Sequence, residues 1–252
     1  MEQTLRPLAD TLYVQRVTVT GPQKQKLPCI NLIASFNPAA KERVLVLAHW
    51  DTRPWGDQDA FNKKTLIDGA DDGGSGIGVM IELARQFKLK HPAVGVDLLF
   101  NDVEDYGVSE VEDSYCLGTQ YWAKNPHVKG YKANYGILLD MVGGRGSQFF
   151  MEGFSKRDAY QPMKMFWDVA NQLGYSQFRY ENPQDAAITD DHYYVNTLTG
   201  IPTFDIIALQ PNGSFVPHWH TANDNMQIID KNTLKAVGQT LMQVLYVNPM
   251  AY

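Results

Sequence analysis

Acidic and imidazole side chains recur in this chain wherever a run of apolar residues stops. Val44-Leu45-Val46-Leu47-Ala48 leads into His49-Trp50-Asp51, Val96-Asp97-Leu98-Leu99-Phe100 into Asn101-Asp102-Val103-Glu104-Asp105, and Ile137-Leu138-Leu139 into Asp140. A loop ahead of a helical pattern carries Asp68-Gly69-Ala70-Asp71-Asp72-Gly73-Gly74-Ser75; later stretches supply Asp190-Asp191-His192 and Trp219-His220-Thr221-Ala222-Asn223-Asp224-Asn225. A single aspartate after a strand commonly does no more than cap the next turn or helix. Carboxylates gathered at several strand ends repel one another and are costly to desolvate, so a rim that collects them needs a cation. Imidazole and carboxylate without thiolate, in a site open to substrate, point to catalytic Zn2+. Cys29 and Cys116 have no Cys-x-x-Cys spacing, which removes both a disulfide framework and a thiolate zinc site.

The elements that would position such a rim follow from apolar periodicity. Strand patterns run over Val14 to Thr20, Ile30 to Phe36, Val44 to Ala48, Val94 to Phe100, Tyr135 to Leu139 and Thr203 to Ala208. Several are continuous apolar runs of the kind buried on both faces. Helical spacing relates Ile77, Met80, Ile81, Ala84 and Phe87 between Gly76 and Lys90, and Leu234, Val237, Leu241, Val244 and Leu245 later, with Asp230 or Asn232 as N-cap. Gly21-Pro22-Gln23 predicts an antiparallel hairpin of the first two strands at one edge. The alternation predicts an α/β fold with a mixed, mostly parallel central sheet and helices on both faces, where ligands collect at the carboxyl ends of strands. The Asp-, Gly-, Asn- and Pro-containing stretch from Asp51 to Asp72 is one long loop, of the kind that is functional or mobile.

The composition, with 252 residues, 44% hydrophobic, 20% charged and a net charge of -6, fits one core and a single domain over 1–252. A net negative chain without a Lys/Arg run argues against nucleic acid and anionic lipid as partners. No apolar run approaches the roughly 18 to 20 residues of a membrane span. Met1 to Asp10 carry no apolar signal-peptide segment, so the expectation from residues alone is a cytosolic chain or one without its targeting segment.

In order and spacing, His49-Trp50-Asp51, Asp68 to Gly76, Glu104-Asp105 and Trp219 to Asn225 together resemble the zinc aminopeptidase-like superfamily. Within it, the Trp before His220, the His-Thr-x-x-Asp-Asn pattern, Phe215 upstream, the insertion Tyr106 to Leu117 before Gly118, and Asp190-Asp191-His192 resemble the glutaminyl cyclases. The resemblance implies that Asp72, Asp105 and His220 bind one Zn2+, and that Glu104 transfers protons within a network formed by Asp140 and Asp190. It also implies that Trp219 and Phe215 line the substrate pocket, and that the substrates are peptides and proteins with N-terminal glutamine. A monomer exported to the periplasm is implied as well. The chain departs from familiar members at Asp105, where they carry Glu, at Asp205, where animal cyclases carry His, and in having no Trp among Tyr106 to Leu117.

Closing an N-terminal glutamine to a lactam needs a polarised γ-carbonyl and a group that takes a proton from the amine and gives one to the departing ammonia. Glu104 beside Asp105 suits the second task. Asp140 and Asp190 would raise its pKa or share its proton and zinc would lower it, a balance the sequence leaves open. Two other functions compete. A two-zinc aminopeptidase would use His49 and Asp140 for a second metal with Asp72 bridging, and a binding module on the same fold would use none of this chemistry. Blander expectations cover the remaining residues. His91 and His127 lie at the surface, and His192 is a hydrogen-bonding partner. His218 is second to His220 as a ligand. Trp55 either covers the pocket or packs its loop, and Trp122 and Trp167 are core. Cys29 is a buried thiol and Cys116 an exposed one.

Overall fold

The computed structural model describes residues 1–247; the single-domain expectation also takes in 248–252, which lie outside them. In chain order the elements are α1 (Glu2–Leu5), β1 (Thr11–Thr20), β2 (Lys26–Phe36), β3 (Arg43–His49), α2 (Gly74–Leu89), β4 (Gly95–Asn101), α3 (Leu117–Lys124) and β5 (Tyr135–Asp140). They continue with β6 (Phe149–Phe150), α4 (Gly153–Asp158), α5 (Tyr160–Gln172), β7 (Phe178–Arg179), α6 (Asp191–Thr199), β8 (Thr203–Ile207) and α7 (Lys231–Val247).

The central sheet has six strands in the order β1-β2-β4-β3-β5-β8. β3 pairs in parallel with β4 and β5, and β5 with β8, whereas β1-β2 and β2-β4 are antiparallel. The predicted hairpin is therefore the sheet's edge, and the parallel strands bring their carboxyl ends to one rim. Their side chains alternate between two apolar layers. Val44, Val46 and Ala48 face the core shared with Met80, Phe87, Phe166 and Val237 of α2, α5 and α7; Leu45 and Leu47 face Trp122 and Val195 of α3 and α6. Burial on both faces is what the uninterrupted Val/Leu runs require.

Asp230 accepts a hydrogen bond at 2.8 Å from Asn232 N, so the aspartate, not Asn232, caps α7. Trp122 and Trp167 are buried, as expected of core residues. His91 is exposed and pairs with Asp10. His127 departs from the surface expectation. Its ring lies 4.8 Å from Tyr13 and 4.7 Å from Tyr131, and accepts a hydrogen bond from Trp122 at 3.2 Å, so neighbouring polar turn residues gave no sign of its aromatic setting. No helix of the described residues is long and apolar enough to cross a membrane.

Candidate active site

The strand ends converge as the parallel topology demands. His49 closes β3 opposite Asn101 of β4, Asp140 closes β5, and Asp72 stands just before α2. His49 Nε2 lies 3.0 Å from Asp72 Oδ1 and 3.4 Å from Asp140 Oδ1. On the other side of Asp72, His220 Nε2 lies 3.6 Å from its Oδ2 and 3.1 Å from Asp105 Oδ1. Asp72, Asp105 and His220 thus form one buried group of ligand atoms within 4.8 Å of one another, and His49, Asp72 and Asp140 a second. The residues fit a divalent cation on their own chemistry. The donors are oxygen and nitrogen, and Asp105 Oδ2 and Asp140 Oδ1 are buried without a hydrogen-bond partner.

These groups are held by neighbours to which the sequence assigned no role: Asp57 and Arg53 carried no pattern at all, and Asp71 and Asp224 stood inside the quoted motifs without one. His220 Nδ1 lies 3.1 Å from Asp57 Oδ1, and a proton donated there by Nδ1 to the carboxylate fixes the ring with Nε2 toward Asp105. Arg53, buried, donates to Asp57 at 2.7 Å and to the carbonyls of Asp105 and Gly107 at 2.9 and 2.7 Å. Asp224 accepts from the amides of Asp71 and Asp72 at 2.7 and 3.2 Å. Of the paired aspartates, Asp71 is structural, holding Gly143 N and His218 Nε2 at 2.8 Å each. That bond also takes His218 out of contention as a ligand. The 51–72 loop is pinned rather than loose in this part, and Trp55 packs on Tyr106 with 5.9 Å between rings, outside the cavity lining.

Backbone strain clusters at the same rim. Val103, Cys116, Met141 and His220 all have left-handed φ, of 55, 56, 48 and 53°. In turn, they precede Glu104, touch it, follow Asp140 and belong to the Asp72, Asp105 and His220 group. Such conformations cost about 1 to 2 kcal/mol each for L-residues and persist where the surroundings impose them.

Glu104 forms the third cluster, with Cys116 and Asp190. Cys116 Sγ lies 3.3 Å from Glu104 Oε1 and 3.9 Å from Asp190 Oδ1. Cys116 is fully buried, correcting the exposed thiol expected of a loop cysteine, because the insertion folds back and Cys116 N donates to Glu104 O at 2.9 Å. Burial, with the charge of Asp105, pushes Glu104 well above the usual carboxylate range. Burial and the Asp140 charge push Asp190 up to about 7; burial also lifts Asp140 and Asp105 to about 6, where the charge of Asp72 adds to it. Asp72 goes the other way: burial opposes ionisation, but the hydrogen bond and charge of His49 outweigh it. Burial and the charges of Asp191 and Glu104 keep Cys116 a thiol.

A cavity of about 300 Å3 opens over these residues. Asp72, Glu104, Asp105, Asp140, Asp190 and His220 lie on its lining, with Phe215 and Trp219. Phe215 stacks on Trp219 at 4.3 Å, and Trp219 on His220 at 3.9 Å. Every site residue anticipated from the sequence except His49 is on that wall, and His49 lies behind Asp72 and Asp140. His192 is a hydrogen-bonding partner, buried below the rim with Nε2 3.1 Å from Glu152, while Asp205 stands 3.8 Å from its Nδ1. Tyr115 supplies a cavity aromatic from the insertion that has no Trp. A wider groove of about 900 Å3 between α2 and α7, lined by Val79, Leu83, Leu234 and Met242, shares no residue with the cavity.

A parallel-rim α/β sheet carrying two adjacent His/Asp groups that share one aspartate defines a metallohydrolase-like class. The chain belongs to peptidase family M28, whose profile matches residues 31–245. Within that family it belongs with the glutaminyl cyclases. It is 44% identical to the glutaminyl cyclase of Bacteroides thetaiotaomicron, solved with N-acetylhistamine bound, over 98% of this chain and 87% of that one, with a TM-score of 0.94. A Zn-dependent exopeptidase from Parabacteroides distasonis is equally similar, at 46% identity, the same coverage of both chains and a TM-score of 0.94. The glutaminyl-peptide cyclotransferase of Bothrops jararaca is 26% identical over 240 residues, 84% of this chain and 63% of that protein. The chain thus spans about 63% of the length of the first of its curated relatives.

Proposed function

We propose that the chain is a zinc-dependent glutaminyl-peptide cyclotransferase, closing the N-terminal glutamine of peptides and proteins to pyroglutamate with release of ammonia. The observation that carries this reading is one small cavity in which the Glu104–Asp190 pair faces a His/Asp cluster beneath a stacked aromatic wall. At about 300 Å3 it suits a single side chain rather than a length of peptide. Asp72, Asp105 and His220 would hold one Zn2+. When bound, the ion supplies a Lewis acid that polarises the glutamine γ-carbonyl.

The chain's own residues do the rest. Trp219 and Phe215 flank the side-chain methylenes and exclude water, favouring the folded-back conformation in which the α-amine meets the γ-carbon. Glu104 takes a proton from the amine as the new C–N bond forms. It returns that proton to the γ-nitrogen as the old C–N bond breaks, so ammonia leaves and the carboxylate is restored. Its carboxylate lines the cavity in the same cluster as Asp190, where one group can serve both transfers. Asp190, in the same cluster as Glu104, and Asp140, on the same wall, share in holding that proton.

The His49, Asp72 and Asp140 group, together with the similarity to an exopeptidase, favours a two-metal aminopeptidase as the second reading. A glutamine arylamide separates them. Cyclisation releases ammonia and leaves the arylamide bond intact; prompt release of the arylamine by the purified protein overturns the cyclase reading.

A further inference from the structure

Among the described residues, the Glu104 carboxylate has one side-chain hydrogen bond, from the thiol of Cys116 to Oε1 at 3.3 Å. Glu104 is half-buried and lines the cavity, whereas Cys116 is buried and absent from the lining, so the thiol meets the carboxylate from the protein side. The backbone reinforces this contact. Cys116 N donates to Glu104 O at 2.9 Å and Leu117 N to Val103 O at 3.0 Å, closing the 106–115 loop back onto the segment it left. The loop is braced internally by Ser114 Oγ on Val108 at 2.8 Å, and externally by Tyr194 OH on Asp113 at 2.9 Å. At its end the left-handed φ of 56° at Cys116 turns the side chain under Glu104, with Asp190 Oδ1 3.9 Å from the sulfur in the same three-residue cluster.

Resting on the cyclisation proposed above, we propose that Cys116 is a positioning residue for the reaction: its S–H holds Oε1 of Glu104 beside Asp190, leaving Oε2 for the substrate's amine. A thiol suits this place because it is a weak donor with a long reach. It orients the carboxylate while withdrawing less basicity than a hydroxyl or amide donor would. The one S–H proton can serve Glu104 or Asp190 but not both at once, and the shorter distance assigns it to Glu104.

The experiment compares wild type, Cys116→Ala and Cys116→Ser by steady-state ammonia release, zinc content and thermal midpoint. Cys116→Ala is expected to lower kcat about tenfold with KM and zinc content unchanged, the scale of a proton-transfer group left unoriented. Cys116→Ser, which returns a donor to the same place, is expected to recover most of that loss. Equal losses in both variants, an unchanged kcat in Cys116→Ala, or a loss that tracks zinc content would overturn the positioning role. A readout independent of turnover is the S–H stretching band isolated by the Raman difference between wild type and Cys116→Ser. It should move to higher frequency when Glu104→Gln weakens the acceptor, and a band indifferent to that change overturns the contact. Absence of ammonia from the wild type, with the Raman shift intact, would instead refute the cyclase reading alone.

Discussion

The carboxylate of Asp51 accepts hydrogen bonds from two successive backbone amides, Glu104 N at Oδ1 and Asp105 N at Oδ2, each at 3.1 Å. The turn just after β3 thereby fixes the segment after β4 on which both the proposed proton carrier and a candidate metal ligand sit. Asp51→Ala leaves both amides without that acceptor and is expected to cost about 2 kcal/mol of stability. Asp51→Asn keeps one acceptor oxygen and should lose less. Chemical denaturation of the three proteins in parallel checks the order, and equal stability of wild type and Asp51→Ala would refute the role.

Glu104→Gln preserves size and leaves Asp72, Asp105 and His220 in place. It should fold and retain metal while turnover falls at least about a hundredfold, the usual contribution of a general acid–base group. Metal analysis beside ammonia release decides this, since a variant keeping most of its turnover would exclude Glu104 as the proton carrier.

The pH dependence of the metal-free protein follows from the raised carboxyls. Burial holds Asp190 at about 7 and Asp105 and Asp140 at about 6, above their ordinary 3.8. A carboxyl raised in the folded state binds its proton more tightly there, so its contribution is full below the ordinary value and is lost as pH rises through the folded value. Chelator-treated protein should therefore lose stability between about pH 4 and pH 7. Added Zn2+ should restore it most at the upper end, because the ion favours the ionised carboxylates. Thermal midpoints across that range, with and without metal, test the sign; a metal-free protein that gains stability from these groups over the interval would contradict it.

Phe215 and Trp219 share a wall but not a role. The Phe215 ring stacks on Trp219, whereas Trp219 also lies 3.9 Å from the His220 ring. Phe215→Ala should raise KM up to roughly tenfold with metal retained, the scale of one lost aromatic contact. Trp219→Ala should in addition weaken metal retention. Dialysis against a graded chelator series tells the two apart.

Much of the fold was readable in the residues because β3, β4 and β5 are buried on both faces and so carry runs that are almost wholly apolar, broken inside β4 only by Asp97, which pairs with Arg43. Their ends could then be recognised by the ionisable residues that interrupt them. The supporting partners were not readable, since Asp57 and His220 meet across 163 positions and Asp71 and Asp224 across 153. No local pattern marks such a pairing. Cys116 was misplaced for a related reason: an insertion carrying Ser109, Glu110, Glu112, Asp113 and Ser114 predicts exposure, and only the return of Cys116 N to Glu104 O makes Cys116 part of the interior. His49 was placed correctly by its position at a strand end, where the register sets it opposite Asn101.

The candidate ligands Asp72, Asp105 and His220 come from three segments that meet only after β3 and β4 have paired in register and the 215–224 turn has docked beneath Asp57 and Asp59. An unfolded chain holds no such trio, so an ion seated there acts as a cross-link between distant loops. It would be acquired late in folding and would slow unfolding more than it speeds folding, making metal retention a measure of how completely the rim has been assembled.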